Sequence, residues 1–243
     1  MDTKRMGAYG IDAPPVVRTF AIIGGVLLLV TPALFLFRVP VVPWIALIGA
    51  AFAIATLATL LHTTLAGKFR VWSEILARLG LRGDENLLDV GCGRGAVLVA
   101  AAHRLGGGRA TGVDLWSGDD QSGNSPAATL ANATAEGVRE RVRVVTGDAT
   151  SLPFRDGAFD VVLSSMAIHN LRDATQRNTS LSELVRVLRP GGRLAVVDFM
   201  VVDQYPEILR RDGMRDVQLR PLGWRFWYGG PWLGASVVTG IKS

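Results

Sequence analysis

Cysteine occurs once in these 243 residues, at Cys92, and histidine three times. A lone cysteine cannot close an internal disulfide, so a reducing compartment suits the chain. Scattered histidines beside one cysteine give no metal-ligand spacing, and no metal is expected. Long Lys/Arg blocks are also missing, although the formal charge is +5. Dispersed basic residues suit anionic lipid headgroups better than nucleic acid, or serve general solvation, and no nucleic-acid partner is expected. Charge itself is missing from two stretches, Thr19 to Phe37 and Val39 to Leu61.

Those stretches hold most of the apolar excess. The first has 19 residues between Arg18 and Arg38. As a helix it spans about 28 Å, close to a hydrocarbon core of about 30 Å. Pro32 is tolerated in such a helix. Pro40, Pro43 and Trp44 suit a tight turn at an interface. A second long run follows at once, which argues against a cleaved secretory signal. Two buried core helices are the alternative. The chain thus divides into a tail over 1–18, read as mobile, and a two-helix transmembrane hairpin over 19–61. An amphipathic linker helix follows over 62–85 and a larger domain over 86–243. Lys4, Arg5 and Arg18 precede the hairpin, and Lys68, Arg70, Arg78 and Arg82 follow it. Only Arg38 lies at its tip. The positive-inside rule then makes this an integral protein of the cell membrane, with both termini and the C-terminal domain in the cytoplasm. Gly49, Ala53 and neighbouring small residues permit close helix contact, within the hairpin or between chains as a homo-oligomer.

In the linker, Lys68 to Leu81 reads as an amphipathic helix with Val71, Ile75, Leu76 and Leu79 on one face. Beyond Asn86, short apolar runs alternate with helical patterns, the mark of an α/β parallel sheet with crossover helices. The strands are Leu87–Val90, Ala110–Asp114, Val142–Thr146, Phe159–Ser164 and Arg193–Asp198. Val217–Leu222 and Ala235–Ile241 suit a final hairpin. Leu181, Leu184, Val185 and Leu188 make a helix face, and Pro190-Gly191-Gly192 is expected to end that helix. Ser125 is a plausible N-cap for a helix from Pro126.

The chain is organised around Leu87-Leu88-Asp89-Val90-Gly91-Cys92-Gly93-Arg94-Gly95, a strand entering a glycine turn ahead of a helix from Ala96 to Leu105. Such a turn exposes free backbone N–H groups to a nucleotide-like ligand. Gly91-x-Gly93-x-x-Ala96 fits a loose dinucleotide pattern. Asp89 opposes it, because a carboxylate there repels a pyrophosphate and favours a cation. S-adenosylmethionine (SAM) carries a sulfonium and an ammonium and no phosphate.

Asp89-Val-Gly91-Cys-Gly93-Arg-Gly95 resembles motif I of the class I SAM-dependent methyltransferases. Phe159-Asp160-Val161-Val162 and Arg189-Pro190-Gly191-Gly192-Arg193-Leu194 resemble later motifs in the same order. Over about Asn86 to Phe199 the chain looks most like the small-molecule and quinone/sterol C-methyltransferases. The resemblance implies a Rossmann-like, doubly wound, seven-stranded sheet with a C-terminal antiparallel hairpin, here preceded by two transmembrane helices. It implies SAM as cofactor, held by Asp89, Gly91, Cys92, Gly93, Gly95, Asp114, Leu115, Asp148, Ala149 and Ser164. Asp114 would hold the ribose, Leu115, with Trp116 as a further candidate, would lie against adenine, and Asp148 and Ala149 would meet the adenine edge. Cys92 is a small spacer rather than a nucleophile. The segment Asp114 to Ser125 is more polar and acidic than the common pattern.

Methyl transfer to carbon, oxygen or sulfur often needs a base. His169, in Ser164-Ser165-Met166-Ala167-Ile168-His169-Asn170 after the fourth strand, is the best candidate, although it and Asn170 can equally tie the loop down. Asp198 either faces the site or caps its strand. Trp224, Phe226, Trp227, Tyr228 and Trp232 form packed hairpin, an interfacial element or a wall for an apolar substrate. The expected function is a membrane-anchored SAM-dependent methyltransferase for a lipophilic small molecule such as a quinone, isoprenoid or lipid, with membrane lipids as its surroundings. Detoxifying methylation of thiols or hydrophobic xenobiotics is the second reading. A non-catalytic SAM-binding membrane scaffold is the third, and an NAD-dependent oxidoreductase stands behind them.

Overall fold

A computed structural model describes residues 6–117 and 121–243. Lys4 and Arg5 of the charge argument, and Asp119 and Asp120 of the acidic loop, lie outside the described residues. Helix α1 (Pro14–Leu36) and helix α2 (Val42–His62) form an antiparallel pair. Helix α1 starts five residues earlier than the uncharged run, because Pro14 and Pro15 occupy its first turn, where a missing N–H costs nothing. At about 1.5 Å per residue both helices are long enough to cross a bilayer. Ala46, Ala50 and Ala53 make a buried stripe on α2, and Gly24 of α1 faces Ala53. The small residues thus close the hairpin on itself. Ile22, Val26, Leu29, Leu36, Ile45 and Ile48 point outward, an apolar surface suited to lipid.

Helix α2 does not end in a separate linker. It passes through a π-helical turn, Thr63–Gly67, directly into α3 (Lys68–Leu79), which Gly80 closes in the left-handed conformation at φ 61°. Val71, Trp72, Ile75 and Leu76 bury the inner face of α3, as the amphipathic pattern predicts.

The C-terminal half is one seven-stranded sheet in the order β3–β2–β1–β4–β5–β7–β6. The strands are β1 (Asn86–Val90), β2 (Arg109–Asp114), β3 (Val142–Thr146), β4 (Phe159–Ser165), β5 (Leu188–Asp198), β6 (Met214–Pro221) and β7 (Ser236–Lys242). The first five run parallel, and β7 lies antiparallel between β5 and β6. Leu87 and Val161 point into one apolar layer, Leu88 and Val162 into the other, so both faces are covered and the strands read as continuous apolar runs. Helices α4 (Ala96–Ala102), α5 (Pro126–Ala135), α6 (Ala174–Val187) and α7 (Tyr205–Arg211) supply the layers. Ser125 Oγ accepts from the Ala128 N–H, confirming that N-cap.

Two expectations need correction. Pro190-Gly191-Gly192 does not end α6. The helix stops at Val187, the Lys242 ammonium caps the carbonyls of Val185 and Leu188 at 2.8 and 2.7 Å, and the Pro-Gly-Gly segment opens β5 beside an irregularity in its pairing with β4. The N-terminal tail is not mobile over its described part. Met6 and Gly7 donate to Glu136 Oε1, each at 2.9 Å, and Ala8 donates to Asn132 Oδ1 at 2.8 Å, strapping the segment to α5 and the turn after it.

Buried Glu85 joins α3 to the sheet. Its carboxylate accepts from the Arg82 and Gly83 backbone and from Arg193 at 2.8 Å, while Arg193 also donates to the carbonyls of Leu79 and Gly80. Burial pushes the Glu85 pKa up, but the hydrogen bonds from Arg82, Gly83 and Arg193 together outweigh it and leave it below its usual value. A depressed carboxylate stabilises the fold above its unfolded pKa of about 4.3, and that share is lost as pH falls through the folded value. Glu85→Gln is therefore expected to lower the melting temperature in detergent at pH 7 by several degrees, and to shrink the further drop on acidification. Tryptophan fluorescence on a pH series checks this; an unchanged acid drop in the variant counts against it.

Candidate active site

The site forms where the parallel strands end. At the end of β1 the chain must turn sharply into α4, and Gly91 does this at φ 73°. A Cβ on Gly91 would lie 2.2 Å from the Ala167 Cβ, so no larger residue fits between this turn and the loop after β4. Gly95, at φ 82°, occupies the N-cap of α4. The Gly91 N–H donates to the Val113 carbonyl at 2.8 Å, pinning the turn to β2.

Asp89 precedes this turn, and its position decides the chemistry. It is 1% exposed, and neither carboxylate oxygen has a hydrogen-bond partner of good geometry among the described residues. Burial, and then the charge of Asp114, raise its pKa well above the usual carboxylate range, with the Leu98 backbone N–H a partial offset. An orphaned buried carboxylate facing a cavity fits a cationic ligand. Asp114, at the end of β2, is differently placed. Its Oδ2 accepts from the Gly93 N–H at 2.8 Å, and its Oδ1 accepts from the Trp116 N–H at 2.6 Å and from Asn124 at 3.2 Å. Cys92 is buried, and burial first, then Asp89 and Asp114, push its thiol well above its ordinary pKa. That leaves it unreactive and suits a spacer.

These residues border a cavity of about 390 Å³. Asp89, Gly91, Cys92, Gly93, Asp114, Leu115, Asp148, Ala149 and His169 all line it. Gly95 sits behind the wall as a cap. Ser164 is fully buried on the far layer of the sheet, and Ser165 lines the cavity instead, held by the Trp72 indole N–H at 2.9 Å. Side chains alternate along β4, so one position separates the two outcomes. Trp116 also stays out of the cavity wall; its indole donates to Thr146 Oγ1 at 2.8 Å.

At the opposite wall the ends of β4 and β5 lie side by side, and this brings His169 to Asp198. The imidazole Nδ1 is 2.6 Å from Asp198 Oδ1. Asp198 is fully buried and also accepts from the His169 and Phe199 backbone N–H groups and from the Tyr205 hydroxyl, each at 3.0 Å. In neutral His169 this carboxylate holds the proton on Nδ1 and leaves Nε2 as an acceptor. The Phe199 ring meets the imidazole edge-on at a centroid distance of 4.5 Å and stacks on Tyr228 at 5.8 Å. Burial, and then Asp12, raise the Tyr228 phenol well above its usual pKa, so it stays protonated. Asp12, Lys68, Gln121 and Tyr228 also line the cavity. Sequence reasoning did not find the first three as site residues, because they lie far apart in the chain and carry no motif.

Residues 88–196 match the family described as "Methyltransferase domain". A ubiquinone/menaquinone biosynthesis C-methyltransferase of Ruegeria sp. (strain TM1040) is 37% identical over 134 residues, covering 55% of this chain and 50% of that protein. A sterol 4-C-methyltransferase of Caenorhabditis elegans is 31% identical over 132 residues, covering 54% of this chain and 36% of that one. The chain spans about half the length of the first of these. Among solved structures, a Burkholderia thailandensis 1,6-didemethyltoxoflavin-N1-methyltransferase with bound S-adenosylhomocysteine superposes with TM-score 0.56 at 24% identity, over 73% of this chain and 79% of that one. A [4+2]-cyclase superposes with TM-score 0.58 at 22% identity, over 70% and 80%. At such identities the likeness is one of fold.

A buried carboxylate with no partner among the described residues costs stability until a cation balances it. A raised carboxylate pKa means that stability is fullest below the unfolded value of about 3.9 and is lost as pH rises through the folded value. Asp89→Asn is therefore expected to raise the melting temperature of the ligand-free protein at pH 7 and to flatten this loss. Thermal scans from pH 5 to 8 test it; a lower melting temperature at every pH would refute the assignment.

Proposed function

Residues 88–196 of this chain are a methyltransferase domain of the class I, SAM-dependent kind, and from that premise we propose that the protein is a membrane-anchored enzyme methylating a lipophilic small molecule. The observation that carries the reading is the packing of the site-forming C-terminal loop against α2. Thr63 Oγ1 donates to the Trp227 carbonyl at 2.8 Å, His62 stacks on Trp224 at 5.0 Å, and Trp232 stacks on Phe52 at 5.7 Å. Phe52 lies ten residues before His62, about 15 Å along the helix. The loop therefore reaches well into the zone that α2 would occupy in the hydrocarbon. Trp224 and Trp232 are 58% and 63% exposed, as suits aromatic side chains in a lipid interface. Tyr228, in the same loop, lines the cavity. The strap and α3 both rest on the catalytic half, which suits both ends of the hairpin lying on one side of the membrane. The dispersed basic residues there favour the cytoplasmic side.

Bound SAM supplies an electrophilic methyl group on a sulfonium. Asp89 would balance the cation, Asp114 would accept from the ribose hydroxyls, and Leu115, Asp148 and Ala149 would frame the adenine. The relatives named for quinone and sterol methylation favour an apolar acceptor. Phe199 and Tyr228 would hold an acceptor ring and exclude water. His169 Nε2 would take the proton that the acceptor loses, and Asp198 would hold the imidazole in line and stabilise the imidazolium.

The test uses purified protein in nanodiscs with methyl-labelled SAM and a total lipid extract of the native membrane, beside an Asp89→Ala control. Label in the organic phase, absent from the control, supports the reading; transfer only to added thiols, or SAM binding without transfer, replaces it. His169→Ala is expected to cut turnover about 10²- to 10⁴-fold and leave SAM affinity within about twofold. Trp224→Ala with Trp232→Ala should raise KM for a membrane-borne acceptor while sparing SAM affinity. Equal loss of both would place these residues in folding rather than in substrate access.

A further inference from the structure

The N-terminal strap ends inside the cavity. Asp12 stands two residues before α1, and Ala13, at φ 46°, turns the chain into that helix. The Asp12 carboxylate accepts from Lys68 Nζ at 3.0 Å, from Gln121 Nε2 at 3.0 Å, from the Tyr228 hydroxyl at 3.3 Å and from Thr64 Oγ1 at 3.4 Å. Lys68 is the first residue of α3, so the ion pair ties the entry of the hairpin to its exit.

Gln121 carries this arrangement to the glycine turn. Its Nε2 also donates to the Tyr9 carbonyl at 3.1 Å, and its Oε1 accepts from the Arg94 backbone N–H at 2.7 Å. Two acceptors on the strap, the Tyr9 carbonyl and the Asp12 carboxylate, can be met only by the amide nitrogen. The amide oxygen must then face Arg94. Asp12 and Gln121 also form an antiparallel bridge. The Arg94 guanidinium reaches the same loop, donating to the Ser122 carbonyl at 2.9 Å, and Ile11 N–H donates to Ser122 Oγ at 3.3 Å. One backbone N–H of the cofactor turn is thus held through a side chain whose orientation is set by the segment entering the membrane.

We propose that Asp12 and Gln121 are positioning residues for the cofactor turn, so that SAM affinity depends on the strap and on the hairpin that it anchors. This rests on the assignment of the cavity to SAM. A strap that borders the cavity and orients Arg94 lowers the cost of ordering the turn when ligand binds. Neither residue touches the reacting atoms, so the effect belongs to cofactor binding rather than to the chemical step.

The experiment is a double-mutant cycle on the full chain in nanodiscs, read by SAM affinity in titration calorimetry. Asp12→Ala and Gln121→Ala are each expected to weaken SAM binding about tenfold, and the double variant little more than either single one. Gln121→Ala leaves the Asp12–Lys68 pair intact, so it carries the test if Asp12→Ala fails to fold. Hydrogen exchange at the Arg94 amide of ligand-free protein should quicken in each variant, and in Gln121→Ala the melting temperature should change little. Wild-type affinity in folded Gln121→Ala, or unchanged exchange at that amide, overturns the proposal and leaves the cofactor assignment standing. Failure of the wild type itself to bind SAM overturns both.

Discussion

Asp12 and Lys68 meet in the cavity wall, and that ion pair ties the entry of the apolar hairpin to the first turn of α3. Their side chains are only 19% and 8% exposed. Removing two charges from water is costly, and a buried pair alone seldom adds net stability. The carboxylate is acceptable here because Gln121, Tyr228 and Thr64 donate to it as well. The pair therefore sets geometry more than it adds stability. It fixes where α1 begins and α3 starts relative to the glycine turn. The uninterrupted run of α2 through the π turn into α3 then connects the apolar hairpin to the site.

The sheet beneath is a shared scaffold. A structure with the same fold is a [4+2]-cyclase, so strand order alone fixes no reaction. Identity lies in the groups placed around the strand ends. One wall holds a buried carboxylate without a partner among the described residues, beside a glycine turn and a second carboxylate. The other holds an imidazole bound to a fully buried aspartate and flanked by stacked rings. The first wall suits a cationic, ribose-bearing cofactor. The second suits proton removal from an acceptor that packs against aromatic rings. The two walls come from different crossovers of the sheet, so acceptor chemistry can change while the cofactor wall stays the same.

Much of this was legible in the chain because it is local. A strand, a glycine turn and a helix start over contiguous residues, so Asp89 to Gly95 announce their own geometry. Asp114 and Asp148 follow from the same rule, that acids just after parallel strands face the ligand edge. The apolar runs announce helices of membrane length by count alone. The dyad was half legible. His169 stands out as a titratable group after a strand, but Asp198 is indistinguishable from a strand cap until β4 and β5 pair in parallel. Ser164 shows the limit of a single residue of register: alternation turns it into the far layer and presents Ser165.

The sequence by itself determined the sheet class, the cofactor turn and the two long apolar helices, because each depends on backbone preferences and hydrophobic spacing over short windows. Only the tertiary structure decided that the N-terminal segment is a strap rather than a tail. Several of its hydrogen bonds run to residues more than 100 positions away, at Gln121, Asn132, Glu136 and Tyr228. Polar contacts of that separation leave no periodicity to read. They exist only once burial of the sheet layers and the hairpin has brought distant surfaces within hydrogen-bonding reach.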